Sequence, residues 1–112
     1  MRGQSGGLEV SGPDNISKVE RLRLRDGPNC WLCDEPIDFK AEPNSAKAPT
    51  LEHLIAQCRN GPSTLDNLVL CHPPCNRQLG DRELVKKIKM REKRRKKAWK
   101  KLLKARVAKI FA

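Results

Sequence analysis

Five cysteines and two histidines carry most of the chemistry open to this 112-residue chain. Four of the cysteines fall in two tight pairs, Cys30-x-x-Cys33 and Cys71-x-x-x-Cys75, separated by about forty residues. Two thiolates on one turn hold two corners of a tetrahedral zinc ion, and a second such turn closes the site. A redox role for Cys30 and Cys33 would call for a thioredoxin-like βαβ context, and none is legible here. The spacing predicts one structural Zn²⁺ per chain on Cys30, Cys33, Cys71 and Cys75, with His72 as an alternative fourth ligand. Cys58 has no close cysteine partner and is expected to be a free thiol.

Between the pairs, and directly after the second, lie groups suited to hydrolysis. His53 is an imidazole, the side chain that titrates near neutrality and most often serves as general base. Glu52 beside it is a hard-cation ligand, and Asn76 offers a carbonyl oxygen where a helix is expected to begin, among backbone N–H groups that favour phosphate. Neighbours on a strand point to opposite faces, so Glu52 and His53 can cooperate only at a strand end. Each residue also has an ordinary explanation: a loop histidine, an exposed strand carboxylate, a turn residue at Asn67, and an N-cap at Asn76.

These groups need elements to position them. A helix is predicted from an N-cap at Asp14 or Asn15, through Ile16, Val19 and Leu22, to the stop at Asp26-Gly27-Pro28. Thr50–Ile55 and Leu68–Leu70 read as short strands around a polar loop with a Gly61-Pro62 breaker. Because proline is excluded from helix interiors, the next helix is expected to start after Pro74, at Asn76. Helix formers then dominate from Asp81 onward. Leu84, Val85 and Ile88 form one apolar stripe, expected to pack on the core. Trp99, Leu102, Leu103, Val107, Ile110 and Phe111 form a second, which can pack back, pair with another copy or dock on a partner protein.

The ordered set C-W-L-C (30–33), L-E-H-L-I (51–55), the Gly61 turn, D-N-L-V-L-C (66–71) and C-N-R-Q-L-G-D (75–81) resembles the HNH endonuclease family of small phage and bacterial proteins. That resemblance implies an α+β fold with a ββα-metal core and a zinc knuckle pair, preceded by a helix and followed by a long basic one. It implies metal-dependent hydrolysis of DNA phosphodiester bonds. His53 would activate water, Glu52 and Asn76 would hold the catalytic divalent ion, and Asn67 would hold the backbone near His53 in shape. Two oxygen ligands suit Mg²⁺ or Mn²⁺. The chain departs from the usual pattern at Ala56, often Pro, at Gly61-Pro62, often Gly-Gly, at Leu79-Gly80, often Lys-Gly, and at Glu52, often Asp. The alternative is a non-catalytic zinc module that binds nucleic acid, or an accessory subunit of a DNA-processing machine such as one for phage packaging.

Composition agrees with a nucleic-acid partner. The net charge is +11, and residues 81–112 hold 15 Lys/Arg against 3 Asp/Glu, so the first 80 residues are nearly neutral. Cations concentrated in this way favour a polyanion, and DNA contacts through phosphates are expected. No run approaches the eighteen or so apolar residues of a membrane span. The N-terminus has no apolar stretch of the kind a secretory signal needs, and an odd cysteine count suits a reducing compartment, so a cytoplasmic location is expected. The organisation predicted is a disordered segment 1–13, a nuclease domain 14–88 and a basic helical tail 89–112.

Overall fold

The computed structural model describes residues 17–111, so the expectation of disorder over 1–13 and the proposed caps at Asp14 and Asn15 lie outside it. Helix α1 spans Lys18–Asp26, and its N-cap is Ser17, whose hydroxyl accepts the Glu20 N–H at 3.2 Å. Ser17-x-x-Glu20 is capping-box spacing, so the helix starts later than the apolar pattern alone suggests. It stops at Gly27, whose φ of 90° suits a residue without a Cβ.

Strand β1 spans Thr50–His53 and pairs antiparallel with β2, Leu68–Cys71, in the register Thr50↔Cys71, Leu51↔Leu70, Glu52↔Val69 and His53↔Leu68. All four β2 residues are buried, as a strand covered on both faces requires. Arg25 ties α1 to the entry of β2, donating to the carbonyls of Leu65 at 2.8 Å and Leu68 at 3.0 Å. On the outer edge of β2 the first cysteine turn adds a further contact, Trp31 N–H to Leu70 C=O at 2.8 Å. Leu22, Leu32, Ile37, Leu68, Leu70 and Leu79 make the core at this junction.

Helix α2 spans Pro73–Leu79, three residues earlier than expected from its prolines. Both sit in the first turn, where N–H groups have no intrahelical acceptor and proline loses nothing. The fold is therefore α+β, a ββα unit with α1 before it and a 28-residue helix, α3 (Leu84–Phe111), after it.

The way α3 docks differs from the apolar stripe predicted. Val85 and Ile88 are 61% and 40% exposed, whereas Lys87 is fully buried and Leu84, Met90, Arg91, Arg94 and Arg95 are partly so. The docked face follows helical spacing but is built largely from cations, whose long stems pack while their heads find acceptors. Arg91 Nε donates to Trp31 C=O at 2.9 Å, and Arg94 to Gln78 Oε1 at 2.9 Å. The helix runs unbroken through position 88, and these contacts reach Arg95. Beyond it, Trp99, Leu102, Leu103, Val107 and Ile110 are exposed, so the second stripe does not pack back on the core.

Candidate functional site

The two cysteine turns meet. Ligand atoms of Cys30, Cys33, His72 and Cys75 all lie within 4.8 Å of one another. His72 Nδ1 is 3.4 Å from Cys33 Sγ and 4.0 Å from Cys75 Sγ, near the roughly 3.5 Å edge between nitrogen and sulfur on a shared zinc. Its Nε2 lies 2.9 Å from Pro36 C=O, which can only accept, so the neutral ring carries its proton on Nε2 and turns a lone pair on Nδ1 toward the sulfurs. This set can hold one zinc ion.

His72, rather than Cys71, completes the cluster, which corrects the four-cysteine set. The second knuckle is His72-x-x-Cys75, the same two-residue spacing as Cys30-x-x-Cys33. Cys71 is still the last residue of β2 and is wholly buried beside Cys30. A hydrogen bond to Cys30, and then burial, push its thiol far up. The same contact, aided by N–H groups of Cys33, His72 and Leu32 against the opposing effect of burial, brings Cys30 down to about 4. Burial, with charge on Cys30 and Cys33, pushes Cys75 up to about 12. Thiols crowded in this way ionise together only around a cation. Cys58 is exposed and free.

On the β1 side of the sheet Glu52, His53 and Asn76 line one cleft of about 500 Å³. His53 ends β1, and this lets adjacent side chains open onto a common space. The loop that follows is held by Asn67. Its Oδ1 accepts the Ile55 N–H at 2.9 Å, while its Nδ2 donates to Ile55 C=O at 3.0 Å and Pro62 C=O at 2.8 Å. Gly61 makes the loop possible, because a Cβ there would fall 1.7 Å from the Ile55 carbonyl oxygen.

His53 Nε2 is 3.0 Å from Ser63 Oγ, and Ser63 is itself fixed by Lys18 of α1, which donates to its carbonyl at 2.8 Å. With Nε2–H donating to that hydroxyl, Nδ1 keeps a lone pair. Asn76 Nδ2 donates to Leu51 C=O at 3.1 Å and Thr50 Oγ1 at 3.3 Å, so its Oδ1 has no protein partner among the described residues. Its backbone N–H is taken by His72 C=O at 2.9 Å because α2 starts early. Asn76 therefore offers a side-chain oxygen and no free amide for phosphate.

The residue missed from sequence is Lys87. Its ammonium donates to Glu52 Oε2 and to His53 C=O, both at 2.7 Å. Burial raises the Glu52 pKa, and Lys87 offsets this only in part. Glu52 keeps one oxygen, Oε1, without a protein partner among the described residues. A hint lies in the spacing: Lys87 is three residues from Leu84 and from Met90, on the stripe that faces the core. A divalent cation fits Glu52 Oε1 and Asn76 Oδ1 by donor chemistry, but it would share the carboxylate with a resident ammonium.

The family model described as HNH endonuclease matches residues 30–82. No curated protein and no solved structure matches the chain. The match runs from the first cysteine turn to just past α2, so this segment is similar to the HNH endonuclease family, and Lys87 with the rest of α3 lies outside it. Among the described residues, no helix is long and apolar enough to cross a membrane.

Proposed function

We propose that this chain is a divalent-metal-dependent endonuclease that hydrolyses DNA phosphodiester bonds, with one structural zinc on Cys30, Cys33, His72 and Cys75. The observation that carries it is the meeting of Glu52, His53 and Asn76 in one cleft, beside a loop clamped by Asn67. His53 Nδ1 takes the proton of the attacking water, and Ser63 holds the ring by Nε2. Glu52 Oε1 and Asn76 Oδ1 are the oxygens for a cation such as Mg²⁺ or Mn²⁺, which supplies Lewis-acid stabilisation of charge on the phosphate. The zinc ties the two knuckles on the far edge of β2, and α3 brings cations for phosphate contacts.

Zinc-loaded protein incubated with supercoiled plasmid is expected to nick or linearise it in Mg²⁺ or Mn²⁺ and not without them. His53→Ala should abolish cleavage with zinc content unchanged, and Ser63→Ala should lower kcat by about tenfold through looser ring positioning. Normal cutting by His53→Ala would remove His53 as the base.

One observation favours a second reading, a non-catalytic nucleic-acid-binding module. The Lys87 ammonium already neutralises Glu52, which lessens what a divalent ion gains there. Plasmid left intact in every divalent ion, with DNA binding retained, would select this reading.

A further inference from the structure

A second cavity, of about 320 Å³, opens between α1, the first cysteine turn and α3, and shares no lining residue with the His53 cleft. Its charged residues are Arg25, Asp26, Asp34, Arg91 and Arg95, with Trp31 on the wall. Arg25 and Asp26 satisfy each other through two hydrogen bonds, at 2.7 and 2.6 Å. Asp34 is shared between Asn29 Nδ2 at 3.4 Å and Arg95 at 3.6 Å. With Arg25 on Asp26 and Arg95 on Asp34, Arg91 is the guanidinium of this cavity without a carboxylate partner among the described residues.

Arg91 and Arg95 are one helical turn apart and converge on a single acceptor, Trp31 C=O, at 2.9 and 3.4 Å. The Arg91 guanidinium also lies 4.9 Å from the Trp31 ring centroid, and its terminal nitrogens have no protein acceptor among the described residues. Arg95 Nε is buried with no hydrogen-bond partner. Burial, and then the neighbouring Arg95 charge, lower the Arg91 pKa. Two guanidiniums held together, with the terminal N–H donors of Arg91 unused, in a partly enclosed space constitute an anion site awaiting acceptors. A phosphate offers more oxygens to two guanidinium forks than a carboxylate does.

We propose that this cavity is a phosphate socket, in which Arg91 and Arg95 above Trp31 grip a phosphate of a nucleic acid bound across α3. Lys87, which holds Glu52 of the cleft, is one turn and about 6 Å of helix from Arg91, so one rod touches both the cleft and the socket. The socket would fix the DNA in register with the cleft. It rests on the nucleic-acid reading for the source of the phosphate, and not on catalysis.

The test uses full-length, zinc-loaded protein carrying His53→Ala, with no added divalent ion. Titration with inorganic phosphate should shift the Arg91 and Arg95 Nε–H and Trp31 indole resonances together, saturably. In fluorescence anisotropy with a short duplex, R91Q/R95Q should lose at least about tenfold in affinity, while the equal charge loss K100Q/K101Q on exposed α3 should cost under about threefold. R91K/R95K keeps the charge but not the fork geometry, and should behave closer to the Gln pair. If the Gln pair loses zinc or melts early, R95Q alone carries the comparison, because Arg91 still holds Trp31.

Duplexes with 5′-phosphate and 5′-hydroxyl ends separate the two sources. Equal affinity assigns an internal phosphodiester, and a gain for the phosphorylated end that R91Q/R95Q erases assigns a terminal monoester. Equal losses for the socket and control pairs, absence of the phosphate shifts, or stronger shifts with an acidic peptide than with phosphate would each overturn the socket. Plasmid cleavage by the chain with native His53 is scored separately. A chain that never cuts but shows the selective loss keeps the socket and loses the nuclease reading, and the converse result does the opposite.

Discussion

Lys87 of α3 reaches across the sheet to Glu52 of β1, and the pair is buried at 2.7 Å, with side-chain exposures of 0% and 5%. The ammonium has a second acceptor in the His53 carbonyl, so one side chain holds both the carboxylate and the backbone of the adjacent histidine. Such a pair is costly to desolvate, and it persists because both members are hydrogen-bonded. It joins the middle of the family-matched segment to a helix outside it.

Lys87→Met should destabilise the chain by on the order of 3–5 kcal/mol, because it leaves Glu52 buried without its cation. Val85→Ala, at an exposed position of the same turn, should change stability by under about 0.5 kcal/mol. Urea denaturation of the zinc-loaded proteins checks both. Equal effects would mean that α3 is not docked through Lys87.

Stability should also carry a Glu52 signature in pH. The folded-state pKa of Glu52 is raised, so folding favours its protonated form, and its contribution to stability falls as pH rises from the ordinary Glu range through the raised value. Glu52→Gln removes this dependence. The stability of Glu52→Gln relative to wild type should therefore grow as pH rises from about 4 toward 7. A constant or shrinking difference would reverse the sign of the shift.

His72 and Cys71 should separate clearly. His72→Ala should cost zinc and much of the folding energy, as loss of a structural ligand does. Cys71→Ala should retain one zinc per chain and lose only the packing and hydrogen bond it gives Cys30, about 1–2 kcal/mol. Elemental analysis with thermal melts reads both outcomes, and zinc lost from Cys71→Ala alone would restore the four-cysteine set.

Gly61→Ala should disrupt the loop over the cleft more than a typical surface change, because its Cβ has no room beside Ile55 and Ala56. Cleavage should fall by at least about tenfold with zinc unchanged, since the ring of His53 depends on this loop through Ser63. Gly27→Ala is the control: space there is open, and the strain is confined to φ.

A chain ending at Ala98 should keep its zinc and melt within a few degrees of the full protein. Residues 99–110 are exposed, whereas the α3 contacts at Lys87, Arg91, Arg94 and Arg95 are retained. DNA affinity should weaken, and the log–log salt slope should become shallower by about 0.9 for each phosphate no longer neutralised. A large drop in melting temperature would mean that the distal half of α3 is structural.

The motifs along residues 30–81 are legible because their spacing is chemical: two cysteine turns, a strand ending at Glu52-His53, and Asn67 entering β2. What escapes a linear reading is set by tertiary structure. Counting sulfur ahead of nitrogen puts Cys71 in the place of His72, although the two-residue knuckle spacing favours the histidine. The prolines at 73 and 74 read as breakers but serve as first-turn residues. Apolar periodicity selects Val85 and Ile88 as the docked face of α3, but a sheet containing a buried carboxylate and an outer edge with a free carbonyl calls for cations there instead. No local pattern announces an acceptor thirty-five or sixty residues away.

The Lys87 contact also bears on the order in which the molecule can be made. Chains emerge from the N-terminus, so β1, with Glu52, is synthesised before the helix that neutralises it. Until α3 arrives, that carboxylate must stay hydrated or protonated, because a buried charge without a partner is costly. Completion of the cleft is thus a late event in the life of each chain, and a nascent or truncated product lacking Lys87 would leave Glu52 without its cation and the cleft unfinished.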